Sequence, residues 1–273
     1  MPRRRRGNMS TEVRRTAMVE WLRGQPSVVT IDELIEQFDV SPATVRRDLT
    51  ELSQSHKIVR VYGGATVPAV TEYSWREKAA RSAQAKAGIG QYCATKLVHP
   101  GDTVFIDSGT TPAAVARALA ARSDVTVMVG GLAGLIELSE TGPQVIVLGG
   151  ILRRRSASFL GQLPNYTLDH VYPDVAFLGA ETIEFGKGAN YPDLEQAIFK
   201  SRVIERCDRC WLVADDSKLR QTGRFKHWTA VEPPTGIVTN ASDNPEVLER
   251  VRLFREAGCP VHVVGQGGAA QQG

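Results

Sequence analysis

Apolar positions along the chain change their period near residue 70. Before that point they recur at spacings of three and four, as amphipathic helices require. Val13, Ala17, Trp21 and Leu22 mark one helical face, which Gly24 and Pro26 end. Ile31, Leu34, Ile35 and Phe38 mark a second face, and Val45, Leu49 and Leu52 a third. Thr30, with Glu33 three residues on, predicts a capping box for the second helix. Ser41-Pro42 predicts an N-cap and a first-turn proline for the third. Ile58 to Tyr62 alternates as a strand, and Gly63-Gly64-Ala65-Thr66-Val67-Pro68 reads as the end of a hairpin entering a linker.

After the linker, short apolar runs read as strands at 103–106, 125–129, 144–148, 174–178, 210–214, 236–239 and 261–264. Helical patterns separate several of them, at about 76–98, 112–122, 132–139, 193–207 and 245–257. Alternation of this kind predicts an α/β fold with a mostly parallel sheet covered on both faces, whose ligands sit beyond the carboxyl ends of the strands. The predicted domains are 10–68 and 76–264, with 1–9 and 265–273 as tails outside both.

The second and third helices, joined by Asp39-Val40-Ser41, form a helix-turn-helix pattern. At 100° per residue Arg47 lies nearly opposite the Val45, Leu49, Leu52 stripe, with Thr50 beside it and Thr44 and Arg46 flanking. A recognition helix uses that end to reach base edges and phosphates, Arg by bidentate contact with guanine and Ser or Thr by contact with phosphate. Candidate DNA contacts are therefore Ser41, Thr44, Arg46, Arg47 and Thr50, with Arg60 and Tyr62 on the hairpin as a wing. The plainer alternative is a solvated three-helix subdomain with incidental arginines.

A second constellation, Ile106-Asp107-Ser108-Gly109-Thr110-Thr111-Pro112, follows one predicted strand and opens a helix. Hydroxyls, a glycine and unpaired helix N–H groups suit a phosphate, whereas Asp107 suits sugar hydroxyls. Leu148-Gly149-Gly150 ends another strand with two glycines, which permit close backbone approach. Ala214-Asp215-Asp216-Ser217-Lys218 ends a third, and Lys218 is a normal point-charge partner for phosphate. The alternative here is a capped turn and a solvated lysine. Asp107, Asp215 and Lys218 would equally serve acid–base chemistry on a sugar phosphate, so a sugar-phosphate isomerase or acyltransferase-like enzyme with an appended helical domain stays open.

These segments resemble the DeoR family of bacterial transcription regulators. The N-terminal likeness is carried by Ile31-Asp32-Glu33-Leu34, by the run Phe38 to Leu49 with its Val40-Ser41, Thr44 and Arg46-Arg47-Asp48-Leu49, and by Arg60-Val61-Tyr62-Gly63-Gly64-Ala65. Tyr62 stands where the family often has His. The C-terminal likeness is carried by Asp107 to Thr111, Leu148-Gly149-Gly150, Phe177-Leu178-Gly179 and Ala214-Asp215-Asp216-Ser217-Lys218, over about residues 12–264 in all. It implies a winged helix-turn-helix joined to a Rossmann-like sheet similar to ribose-5-phosphate isomerase and CoA transferases. It also implies a repressor of carbohydrate-metabolism genes that binds operator DNA under control of a phosphorylated sugar or polyol, as a homo-oligomer, dimer or tetramer. By the same likeness Lys86 and Gly179 join Asp107, Ser108, Gly109, Thr110, Thr111, Gly149, Gly150 and Lys218 as effector residues. Two departures stand out: Val129-Gly130-Gly131 replaces a usual Thr-Asn, and Asn190-Tyr191 stands where small hydroxyl residues are commoner. The first leaves room for a DNA-binding protein that takes no ligand.

Charge adds little. Residues 1–68 carry 11 basic and 8 acidic side chains, but four of the 11 are Arg3 to Arg6, ahead of a second possible start at Met9. A DNA reading thus rests on local placement rather than bulk charge. With 42% hydrophobic and 23% charged residues the chain has ordinary globular composition, which argues against disorder. No apolar run reaches the roughly 18 residues of a membrane span, and the arginine-rich start lacks the apolar stretch of a secretory signal. No membrane partner is expected. Cys207-Asp208-Arg209-Cys210 has no second pair to complete a zinc site, so the four cysteines read as core thiols and a reducing cytoplasm is the expected location. The five histidines show no metal-ligand spacing, and no metal or cofactor is expected.

Overall fold

The computed structural model describes residues 10–265 except 24, 26–27, 56, 67–71, 141, 221 and 224. Two compact units divide between Thr71 and Glu72. Expectations for the tails (Gly265 excepted), for the stops at Gly24 and Pro26 and for the linker at 67–71 lie outside the described residues.

The first unit holds α1 (Thr11–Arg23), β1 (Val29–Thr30), α2 (Ile31–Phe38), α3 (Pro42–Gln54), β2 (Val59–Val61) and β3 (Gly64–Thr66). Both caps form as the sequence predicts. Thr30 and Glu33 make the reciprocal box, and Ser41 accepts from the Thr44 N–H with Pro42 in the first turn. Met18, Leu22, Leu34, Phe38, Val45, Leu49 and Leu52 form one core. Two expectations are corrected. Val13 is exposed while Met18 and Val19 are buried, so the packed stripe of α1 is rotated toward its C-terminal half. All three residues of β2 are exposed, because β3 lies between β2 and β1 and itself supplies the buried Ala65.

The second unit holds α4 (Trp75–Ala79), α5 (Ala83–Lys96), β4 (Thr103–Ile106), α6 (Thr110–Leu119), β5 (Thr126–Val129), α7 (Leu132–Glu137) and β6 (Gln144–Val147). There follow β7 (Ile151–Arg153), β8 (Ser158–Leu160), α8 (Gln162–His170), β9 (Val175–Leu178), β10 (Thr182–Glu184), β11 (Gly188–Tyr191) and α9 (Leu194–Arg206). The chain then adds β12 (Arg209–Val213), α10 (Ser217–Arg220), β13 (His227–Thr229), β14 (Gly236–Asn240), α11 (Pro245–Glu256) and β15 (Val261–Val264). The seven strands expected from the apolar runs make one parallel sheet, in the order β15-β14-β12-β9-β4-β5-β6. Its strands feed two cores. Val104 and Ile106 of β4 pack on one face with Ile89 and Val115, and Phe105 packs on the other with Leu178 and Phe199. The helix expected over 76–98 is broken. Ser82 adopts φ 50°, and the buried Lys86 ammonium binds the carbonyls of Lys78 and Arg81, both at 2.6 Å, which closes α4 before α5 begins. Trp211, expected in the core, is only partly buried and stacks on His262. The β7–β8 hairpin, α8 and the small sheet β10-β11-β13 have no counterpart in the sequence pattern.

Candidate functional site

On the first unit, Arg46 and Arg47 project from α3 into solvent and have no ion-pair partner among the described residues. Asp48, next along, is turned the other way and buried, held by Arg14 at 2.7 Å and Arg15 at 2.8 Å. This double pair ties α1 to α3 and was not anticipated from the sequence, where Asp48 is one more charge on a helix. Thr11, Arg14, Arg15, Ala43, Thr44, Arg47 and Asp48 line an open concavity of about 640 Å³ beside the start of α3. The Ser41 hydroxyl lies 2.8 Å from that of Thr44, both at the helix end and both partly committed to the cap. Thr50 donates to the Arg46 carbonyl and accepts from Arg60 at 3.3 Å, so Arg60 leans from the hairpin onto α3. Tyr62, in the turn that follows β2, is fully exposed. The result is a helix end and hairpin tip bearing guanidinium, hydroxyl and phenol groups above a packed core.

On the second unit, strand order reverses between β9 and β4, since β5 and β6 extend one way and β12, β14 and β15 the other. A crevice at such a reversal is where open α/β sheets bind ligands. Asp107 follows β4 and Gly179 follows β9, and the Gly179 N–H donates to Asp107 Oδ2 at 2.8 Å. Gly109, at φ 136°, starts α6 without a side-chain cap, so the first N–H groups of that helix, at Thr110 and Thr111, receive no side-chain acceptor at the N-cap. Ser108 and Thr111 are buried.

Lysines gather around this crevice. Lys200 of α9 lies 2.8 Å from Asp107 Oδ2 and 4.3 Å from the centre of the Tyr191 ring. Lys86 lies 3.9 Å from Asp215 Oδ2, and Glu181 pairs with Lys78 and, at 3.7 Å, with Lys218. Burial pushes the Lys86 ammonium below its ordinary range; Asp215 opposes the shift and Lys218, Arg81 and Lys78 reinforce it. Burial would raise the Glu181 carboxyl, but Lys78, Lys218 and Lys200 outweigh it and hold the group below the usual carboxylate range. Burial also raises the Tyr191 hydroxyl well above its ordinary value, and that oxygen has no hydrogen-bond partner among the described residues. Four ammonium groups thus face three carboxylates, an excess that suits an anion.

Of the residues singled out from the sequence, Lys86, Asp107, Ser108, Gly109, Thr110, Thr111, Gly179 and Lys218 come together here or on groups that touch this cluster. A Cβ at Gly149 would meet Leu163, and one at Gly150 would meet the Leu160 carbonyl oxygen and Pro164, so both glycines face β8 and α8, and their positive φ values serve the turn from β6 into the β7–β8 hairpin. Asp107, expected to face sugar hydroxyls, already has one oxygen engaged by Lys200 and Gly179. The turn at Gly131 excludes a side chain: a Cβ there would lie 2.8 Å from both Ser108 Cβ and the Ala157 carbonyl oxygen. Lys200, Lys78, Glu181 and Tyr191 were missed. Lys200 left a trace as a cation on the buried stripe of its helix with Gln196, Phe199 and Val203, and Tyr191 as a departure from the family pattern. Among the described residues no three His, Cys, Asp or Glu side chains cluster as a metal site. Cys207 and Cys210 are free thiols, and their contact together with burial holds Cys210 well above the ordinary thiol range. No described helix is long and apolar enough to cross a membrane.

A family model for the DeoR C terminal sensor domain matches residues 81–241, and one for the DeoR-like helix-turn-helix domain matches residues 14–71. A relative from Escherichia coli O157:H7, named for repression of the aga operon, is 33% identical over 94% of this chain and 95% of its own. The glycerol-3-phosphate regulon repressor of Escherichia coli K12 is 29% identical over 88% of this chain and 99% of its own. A solved ribose 5-phosphate isomerase A from Neisseria gonorrhoeae, 12% identical, covers 68% of this chain and 94% of its own with a TM-score of 0.38, a likeness too slight to carry function.

Proposed function

The chain belongs to the DeoR family of transcriptional regulators, and from that premise we propose how its two units divide the work. It is a DNA-binding regulator and not an enzyme: relatives matched along almost their whole length are named as repressors, one of the aga operon and one of the glycerol-3-phosphate regulon. Residues 10–68 hold operator DNA. Arg46 and Arg47 reach the bases and phosphates, Ser41 and Thr44 present hydroxyls at the helix end, Thr50 and Arg60 brace the hairpin, and Tyr62 is the wing tip. Residues 76–264 bind a phosphorylated sugar or polyol. Its phosphate takes the open start of α6 at Ser108, Gly109, Thr110 and Thr111 together with Lys218 and Lys86, while Asp107 and Gly179 meet the sugar end. Gly149 and Gly150 shape the neighbouring hairpin. The protein acts in the cytoplasm as a homo-oligomer, and its effector works by binding two arrangements of the DNA-binding units with different affinity.

The observation that carries the effector reading is the excess of ammonium groups over carboxylates at the reversal of strand order, beside a helix start with no side-chain cap. An uncharged sugar gains little from that arrangement, and a phosphate gains charge-assisted hydrogen bonds from both. The test is calorimetric titration with matched phosphorylated and unphosphorylated sugars, alongside a gel-shift assay on the protein's own promoter region. The phosphorylated member is expected to bind at least ~100-fold more tightly, about 2.7 kcal/mol. Equal affinities would move the effector site elsewhere.

A further inference from the structure

The described surface of the second unit carries an apolar patch that the functions above do not use. Ile151 of β7 is 74% exposed, Leu163 and Tyr166 of α8 are 60% and 63% exposed, and Leu194 and Ile198 of α9 are 56% and 53% exposed. Spacings of three on α8 and four on α9 put each pair on one side of its helix. The elements meet. The Gly161 N–H, at the start of α8, donates to Glu195 Oε1 at 2.5 Å, Arg153 of β7 lies 3.5 Å from Asp193 at the start of α9, and Arg202 of α9 donates to Asn165 of α8 at 2.7 Å. A Cβ at Gly161 would touch the Ile151 side chain.

We propose that this face, built from Ile151, Leu163, Tyr166, Leu194 and Ile198, is the surface on which a second copy of this chain packs. Area and charge argue for that occupant. Five side chains each leaving on the order of 120 Å² in water present about 600 Å², the upper end of what a lone protein exposes in one patch. With the polar third that rims a homodimer interface, such a core fills roughly 800–900 Å² per partner, the area of a stable complex. The charges beside it are engaged within the chain. Asp169 is held by Arg202 and, at 3.1 Å, by Arg206, and Glu195 is held by the Gly161 N–H. The patch therefore offers apolar area and little charge with which to select a partner of another kind. A two-fold axis sets the same patch of both copies face to face, apolar on apolar. A two-fold also matches the paired half-sites that helix-turn-helix proteins read.

The proposal rests on the homo-oligomer of the preceding section, and sedimentation velocity separates the two. Full-length wild type is compared at about 10 µM with Ile151→Asp and with Ile198→Asp, the second guarding against a hairpin that fails to fold, and circular dichroism checks that each variant keeps wild-type secondary structure. Wild type is expected to sediment as a dimer or tetramer. Each aspartate is expected to raise the dissociation constant of one interface at least ~100-fold, turning dimer to monomer or tetramer to dimer. A monomeric wild type overturns both the oligomer and the surface. A wild-type oligomer that both folded variants retain at undiminished affinity overturns the surface alone.

Discussion

Replacing Lys200 by Met probes a buried ion pair of the site. Met keeps the length and apolar body of the stem and removes the ammonium. The side chains of Lys200 and Asp107 are 6% and 3% exposed, and their 2.8 Å contact is accompanied by a 3.4 Å approach of Lys200 Nζ to the Gly179 carbonyl oxygen. Breaking a buried pair from one side costs about 3–5 kcal/mol, chiefly because a charge is left in low dielectric without its partner. Asp107 retains the Gly179 N–H, which places the expected cost at the lower end, about 3 kcal/mol. At a urea slope of roughly 2–3 kcal/mol/M for a domain of this size, the midpoint falls by about 1–1.5 M. The double variant Lys200→Met/Asp107→Asn removes both charges and is expected to recover at least half of that loss, a coupling that a double-mutant cycle reads directly. Urea titration followed by far-UV circular dichroism measures all four proteins. A cost below ~1 kcal/mol for Lys200→Met, or strict additivity in the double variant, would refute the desolvated pair.

The remaining predictions concern DNA, the phosphate and protons. Arg47→Ala, at an exposed position opposite the core stripe, is expected to keep the fold and to lose about 1–3 kcal/mol of operator affinity in a gel-shift titration; full-strength binding would remove α3 from the interface. Thr110→Ala is expected to lower the calorimetric preference for a phosphorylated over a free sugar while leaving ligand-free operator binding unchanged. Because burial holds Lys86 below its ordinary 10.5, a bound phosphate draws a proton back onto it. Binding should take up protons in alkaline solution and weaken as pH rises toward 10.5, an uptake visible by calorimetry in two buffers of different ionisation enthalpy and absent in Lys86→Met. Burial, reinforced by Arg255, pushes the His262 imidazole below 6.5. The unfolded chain thus binds a proton that the native chain refuses, and stability present above pH 6.5 is lost below it; His262→Phe should flatten the fall in urea midpoint between pH 7 and 5.

Much of the architecture was legible because its cause is local. The seven central strands stand out as apolar runs because both faces of a parallel sheet are covered. The two helix starts at Thr30 and Ser41 stand out because a cap is a contact three residues long. Arg47 could be placed in solvent by counting 100° steps from the buried stripe. The strands of the β10-β11-β13 sheet were not legible, since Thr182–Glu184, Gly188–Tyr191 and His227–Thr229 form no apolar run and one pairs Asn190 with Trp228 far along the chain. The break between α4 and α5 was hidden for a related reason: the group that closes α4 is the ammonium of Lys86, itself in the next helix.

The sequence by itself determined that this chain has a helix-turn-helix followed by an α/β unit, and which loops carry hydroxyls and glycines suited to a phosphate. Those properties depend on spacing along the chain and on short-range hydrogen bonds. Only the tertiary structure decided that β4 and β9 are neighbours at the reversal of strand order, and hence that Asp107 meets Gly179 and Lys200, residues 72 and 93 positions later. It likewise decided that Glu181 joins Lys78 to Lys218, and that Gly149 and Gly150 turn toward a hairpin instead of the anion loop. Strand order and helix orientation follow from how whole apolar faces pack, a global minimum over many contacts that no window of sequence contains.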